Sequence, residues 1–258
     1  MKVRKLYERL EQRIPRALSC EWDNDGLMCC PCGDNEVSRV LVALDVTGEV
    51  VEYAKQNKYD LILSHHPLIY KGIKAFDDNG YVSAKLLSLA AAGISVMSFH
   101  TRLDAVSGGV NDKLAELLGL SDTEPVYCEG VPLGRVGSID AEMSAEDFAK
   151  KVKEVLNAPF VLLSDANLAV KRVAVVGGSG GDLLSEAKSM GADTLVSGRL
   201  DYHSMTDAPD QRVQRMNLIE AGHFFTEDPV CAVLKEFVLE IDPSLECDVY
   251  CSNVIKAI

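Results

Sequence analysis

The chain has no long apolar run and little positive charge. The most apolar stretch, Leu86 to Met97, is broken by Ser88, Gly93 and Ser95 and falls short of the roughly 20 residues that a bilayer-spanning helix needs. Lys and Arg total 26 against 39 Asp and Glu, a formal charge of −13. A nucleic-acid binder that relies on a broad basic surface is therefore excluded. Tryptophan occurs once and histidine five times, so each of these residues can be weighed singly. No low-complexity linker interrupts the 258 residues. The opening Met1–Leu10 alternates charged and apolar residues at helical spacing and lacks a continuous apolar core, so an export signal is not expected and a cytoplasmic location is. The eight cysteines then read as reduced thiols. Cys29-Cys30-Pro31-Cys32 contains a C-x-x-C spacing, but the nearest thing to a second pair, Cys247-x3-Cys251, lies in a strand-like stretch. A surface loop of thiols is expected there rather than a zinc knuckle.

What is present is an ordinary globular balance, 47% hydrophobic and 25% charged. Helical periodicity marks Val3 to Arg13, Tyr81 to Ala92, Val110 to Leu118, a segment capped by Ser144 and running to about Leu156, and a long helix starting near Glu227-Asp228-Pro229. Short apolar runs at Val40–Leu44, Leu61–Leu63, Ile94–Phe99, Val173–Val176, Thr194–Val196 and Leu218–Ile219 read as strands. Alternation of the two defines an α/β protein. Residues 39 to 67 also align without a gap on residues 172 to 200. Arg39 meets Arg172, Val40 meets Val173, Gly48 meets Gly181, Asp60 meets Asp193 and Ser64 meets Ser197. Each copy is followed by a strand region ending in His-x3-acid, His100…Asp104 and His223…Glu227. The expected architecture is two related α/β lobes, 1–125 and 126–258, with 220–258 packing back on the first and the site in the cleft between them.

His65-His66, His100 and His223 all follow predicted strands, and ligands in open α/β sheets bind beyond the carboxyl ends of strands. Four histidines at such ends, two with a carboxylate four residues on, point to metal. Imidazole with carboxylate suits Zn, Fe, Mn, Co or Ni rather than Ca. The adjacent side chains of His65 and His66 should diverge, each serving one ion of a close pair, with Asp104 beside His100 and His223 beside Glu227 completing a dinuclear centre. Glu227, at an expected helix start, is the choice for the bridging carboxylate.

Leu63-Ser64-His65-His66-Pro67-Leu68, Ser98-Phe99-His100-Thr101-Arg102-Leu103-Asp104-Ala105 running into Gly108-Gly109-Val110-Asn111-Asp112, and Gly222-His223-Phe224-Phe225-Thr226-Glu227 together resemble the GTP cyclohydrolase 1 type 2 homologue family, also called the Nif-three-like dinuclear metal family. Trp22-Asp23-Asn24-Asp25-Gly26-Leu27, Gly177-Gly178-Ser179-Gly180 and Tyr202-His203 match the same pattern, and the resemblance covers essentially the whole chain. It implies metal ligation by His65, His66, Asp104, His223 and Glu227, with His100 beside two divalent transition-metal ions. It also implies a ring-shaped homohexamer of two-lobed subunits, a small-molecule substrate that is possibly a nucleotide, and hydrolytic opening of the GTP purine ring. A metal-dependent phosphatase or nuclease on a small phosphorylated substrate, or a non-catalytic metal-binding ring, are the alternatives.

His100 and His203 are the candidate proton-transfer residues, since imidazole titrates near working pH. Gly177–Gly181 is either an anion-cradling loop or a tight turn. Trp22 is expected as a core anchor. Arg102, Arg199 and Asp201 depart from the family pattern at positions expected on a pocket rim, and Arg212 and Arg215 read as surface cations.

Overall fold

The computed structural model describes residues 1–210 and 215–256 and contains two units, Met1–Val106 with Val230–Val254, and a second formed chiefly by Ser107–Pro229. Arg212 lies outside the described residues.

The first unit opens with α1 (Val3–Arg13), whose Val3, Leu6 and Leu10 are buried at helical spacing and which stops before Pro15. It continues through β1 (Gly26–Cys29), β2 (Arg39–Ala43), α2 (Gly48–Gln56), β3 (Leu61–Ser64), α3 (Tyr81–Ala92), β4 (Ser95–Ser98) and the five-residue α4 (Thr101–Ala105). Thr47 caps α2 by accepting a hydrogen bond from Val50 N, and Gly93 ends α3 in the left-handed region at φ +73°.

The second unit runs α5 (Val110–Leu118), β5 (Ser121–Cys128), β6 (Val131–Met143), α6 (Ala145–Val155), β7 (Leu162–Ser164), β8 (Val170–Ser179), α7 (Leu184–Ser189), β9 (Thr194–Arg199), α8 (Tyr202–Asp207), β10 (Asn217–Glu220) and α9 (His223–Glu227). The chain then returns to the first unit as α10 (Val230–Ile241) and β11 (Glu246–Val249).

The first sheet has strand order β1-β4-β3-β2-β11, parallel except for the antiparallel edge strand β1. Because side chains alternate across a strand, Leu41, Ile62 and Val96 join one cluster with α2 and α3. Val40, Val42, Leu61, Leu63 and Met97 are equally buried, and α10 packs on β2 and β11. The second sheet has the order β5-β6-β8-β9-β10-β7, with β8, β9 and β10 parallel. Val173, Val175, Val196 and Ile219 pack with α5 and α6, while Ala174, Val176, Leu195 and Leu218 face residues of α7 and its surroundings. No helix among the described residues is long and apolar enough to cross a membrane.

The repeat read from the sequence is physical. Asp60 Oδ2 accepts hydrogen bonds from Ser38 N and Arg39 N, and Asp193 Oδ2 accepts from Lys171 N and Arg172 N, the same three positions in each copy. Each acid ties the start of the first strand to the start of the second. In each copy the following strand also closes alike, with Phe99 N donating to Ser64 O and Ala221 N to Ser197 O, both at 2.8–2.9 Å.

Two expectations are corrected. Trp22 is no core anchor; it is 57% exposed. Arg102 stands on no rim; its side chain is fully buried, because Asp25, Glu11 and the Ile14 carbonyl replace the water its guanidinium loses. Arg215 is half-buried and donates to the carbonyls of Ala166 and Asn167.

Candidate metal centre

In the first unit, three imidazoles gather at the ends of β3 and β4. The chain bends at His65 and His66 as it leaves β3: His66 N donates to Leu44 O, and Ser64 Oγ donates to His66 O while accepting from Ser98 Oγ. This bend tilts the His65 and His66 rings together, with centroids 4.9 Å apart, instead of splaying them as an extended strand would. His100 completes the group at 5.3 and 5.7 Å from the other two. One ring nitrogen from each lies within 4.8 Å of the others.

The protonation pattern follows from the partners. His65 Nδ1 sits 3.0 Å from Phe99 O, and a carbonyl only accepts, so Nδ1 carries the proton. His66 Nδ1 sits 2.8 Å from Asp45 Oδ1, and His100 Nδ1 2.9 Å from Asp23 Oδ1. Each acceptor fixes the tautomer that keeps the lone pair on Nε2, the arrangement in which a metal-bound histidine is ordinarily held. His65 Nε2 also faces Asp104 Oδ1 at 3.7 Å, two electron-pair donors turned toward one another. The donor chemistry and its hydrogen-bonded support fit a transition-metal ion.

Behind His100 lies a buried acidic network. Asp23 accepts from His100 Nδ1, Thr101 N and Thr101 Oγ1, the last at 2.6 Å. Burial pushes its carboxyl pKa up, but the hydrogen bonds from His100 and Thr101 outweigh that and hold it down at about 2. Asp25 accepts from His100 N and Arg102 Nε and is ion-paired to Arg16. Arg102 therefore connects Glu11 of α1 to the loop that carries His100.

In the second unit, His223 and Glu227 stand one turn apart on α9, with Nε2 and Oε2 separated by 3.0 Å. Glu227 is buried. It closes the five-residue α9, and the long helix starts only at Val230, so the expected helix-start placement is displaced. The glycine-rich loop seats it instead. Gly178, at φ +64°, lies so close that a Cβ there would meet Glu227 Oε1. Thr226 Oγ1 accepts from Gly178 N at 3.1 Å. Three of the run's N–H groups are spent internally: Gly177 N on Asn111 Oδ1, Gly178 N on Thr226 and Gly180 N on Arg199 O. Gly177 to Ser179 form the end of β8, and a short 3-10 turn follows from Gly181 to Leu183.

His203 is exposed at the start of α8, where Asp201 accepts from His203 N and Ser204 N as the helix cap. Arg199 is exposed at the end of β9. Cys29 and Cys30 are half-buried and Cys32 exposed. Burial and the neighbouring Cys30 push the Cys29 thiol above its ordinary pKa, and among the described residues no cysteine joins a group able to share an ion.

Sequence reasoning gave Asp23, Asp25 and Asp45 no work. Two acids flanking a loop asparagine beside the lone tryptophan, and an acid just past β2, were the available signals.

A two-unit α/β chain with imidazole and carboxylate donors beyond its parallel strands is a candidate metalloprotein. The chain belongs to the Duf34/NIF3 (NGG1p interacting factor 3) family, whose model matches residues 1–257. It is 34% identical over 255 residues to the GTP cyclohydrolase 1 type 2 homolog of Clostridium perfringens, covering 95% of both chains. It is 33% identical over 233 residues to that of Campylobacter jejuni, covering 88% of each. Among solved structures it resembles the Staphylococcus aureus hypothetical protein SA1388, with TM-score 0.86 and 29% identity over 100% of this chain and 99% of that one. It also resembles reduced HcgD from Methanocaldococcus jannaschii, with TM-score 0.81 and 31% identity over 96% and 97%.

Proposed function

We propose that the protein is a dinuclear metal-dependent hydrolase in which His65, His66 and Asp104 of the first unit and His223 and Glu227 of the second would hold two divalent transition-metal ions, with Glu227 the choice for a shared carboxylate. The observation that carries this is the set of Nδ1 hydrogen bonds that fixes three neighbouring imidazoles in the tautomer with the lone pair on Nε2. When bound, such a pair of ions supplies Lewis-acid polarisation of an electrophile and activation of water. Asp23, ionised through the working pH range, keeps the Nδ1 proton on His100, so Nε2 is the atom that exchanges protons with substrate. His203 is the second proton carrier. The relatives are named as GTP cyclohydrolase 1 type 2 homologs, which makes hydrolytic opening of a guanine nucleotide ring the first reaction to assay and phosphoester hydrolysis the second. A homohexamer forms part of the same proposal.

Elemental analysis of protein purified without chelator tests the centre. About two transition-metal ions per chain are expected, with His66→Ala and Glu227→Ala each losing metal. None retained after loading at neutral pH refutes it. A nucleotide panel read for formate and for phosphate separates the two reactions, and release of neither by metal-loaded protein assigns the protein to metal binding without catalysis. Static light scattering measures the assembly.

A further inference from the structure

Beside the three imidazoles stands a feature that metal binding does not require. Trp22, the only tryptophan, is 57% exposed and Tyr70 is 52% exposed. Both rings meet His100 edge to face, with centroids 6.2 Å away and interplanar angles of 77° and 88°. They meet each other at 6.4 Å and 74°. Three mutually perpendicular rings form a corner rather than a stack, and neither outer ring spends its surface on the core. The corner is built, not accidental. The side chain of Asn24, two residues from Trp22, donates to Ile69 O, directly before Tyr70, and so ties the two loops together. The adjoining Asp23 holds the His100 ring in place. Large aromatic surface left open next to polar groups of fixed tautomer is the usual make-up of a small-molecule site.

We propose that Trp22 and Tyr70 form the binding wall for a planar, fused nitrogen heteroaromatic ring, a purine-like ligand that stacks on one ring and meets the other at its edge, within reach of His100. Aromatic side chains bind such rings through their faces regardless of detailed hydrogen bonding. The proposal deepens the hydrolase reading, since it names the ring as the part of the substrate held in the first unit.

Trp22 reports on its own site, because no other tryptophan emits. Metal-loaded and chelator-treated protein are titrated with guanosine and, as a probe without a base, ribose 5-phosphate. Guanosine is expected to quench Trp22 emission saturably, and ribose 5-phosphate is not. Tyr70→Ala is expected to weaken guanosine binding about tenfold, Tyr70→Phe to restore it, and both to keep the wild-type metal content. Equal quenching by ribose 5-phosphate, no saturable guanosine quench, or Tyr70→Ala binding as wild type overturns the proposal. Emission that depends on protein concentration and not on guanosine also overturns it, assigning the corner to contact between copies. Metal retained without a guanosine response sinks the aromatic wall alone; a guanosine response in protein that retains no metal after loading sinks the dinuclear centre alone.

Discussion

Gly178→Ala separates the stability of the second unit from its capacity to hold metal. At φ +64° an alanine is strained by about 1–2 kcal/mol. For a chain of this length that lowers Tm by roughly 2–8 °C. The new Cβ would also lie 3.2 Å from Glu227 Cδ and 3.2 Å from His223 Cε1, and closer still to Glu227 Oε1. The carboxylate is the far end of a flexible side chain and yields cheaply, but yielding moves a proposed ligand. Metal affinity should therefore fall by at least the roughly 10–100-fold typical of disturbed metal support, out of proportion to the melting shift. Gly198→Ala is the contrast. Its Cβ would meet Gly178 O at 2.7 Å and His223 Cα at 2.8 Å, backbone atoms that cannot swing away. It should cost about 1–3 kcal/mol through displacement of α9 itself. Thermal melts in chelator give the first quantity, and competition with a chromogenic chelator gives the second. Gly178→Ala with wild-type metal affinity, or with a melting loss larger than that of Gly198→Ala, would refute the seat assigned to Glu227.

Two further outcomes follow from the network behind His100. Arg102→Met leaves Asp25 buried with less compensation and should cost about 3–5 kcal/mol, measured by urea unfolding; a loss below about 1 kcal/mol would show that the Arg102–Asp25 pair does not support the fold. Asp23 is held at about 2 against an ordinary 3.8, so its contribution is complete above about pH 4 and is lost as pH falls through about 2. Asp23→Asn should remove on the order of 2 kcal/mol of stability at neutral pH and flatten this acid-side slope in chelator-treated protein; an unchanged slope would contradict the role of those hydrogen bonds.

The α/β class and the repeat were legible because they rest on periodicity and on capping acids. Asp60 and Asp193 do the same backbone work, and sequence spacing alone had paired them. The β5–β6 hairpin was hidden. Its strands carry Pro125, Pro132, Gly134 and Gly137, which read as loop, and its turn is written only in the consecutive positive φ of Glu129 and Gly130. Gly137 is required because a Cβ there would come 2.7 Å from Ser121 O on the neighbouring strand. At the site, the histidines were visible through their strand-end positions, but their partners were not. The pairing of Asp23 with His100 spans 77 residues, and tertiary contact of that kind leaves no local period. Arg102 and Trp22 were misplaced for a related reason. A residue's usual preference gives way where buried carboxylates neutralise a cation, or where three rings stand together at the surface.

The matching acid clamps make the two halves directly comparable, and the register they set exposes what has diverged. Where the first copy has Asp45, His65 and His66, the second has Gly178, Gly198 and Arg199. At two of these three positions the second copy has no side chain, and there α9 settles against bare backbone. A chimera built from two first halves would double the imidazoles yet have no berth for an acid like Glu227, so the duplicated segments are no longer interchangeable parts.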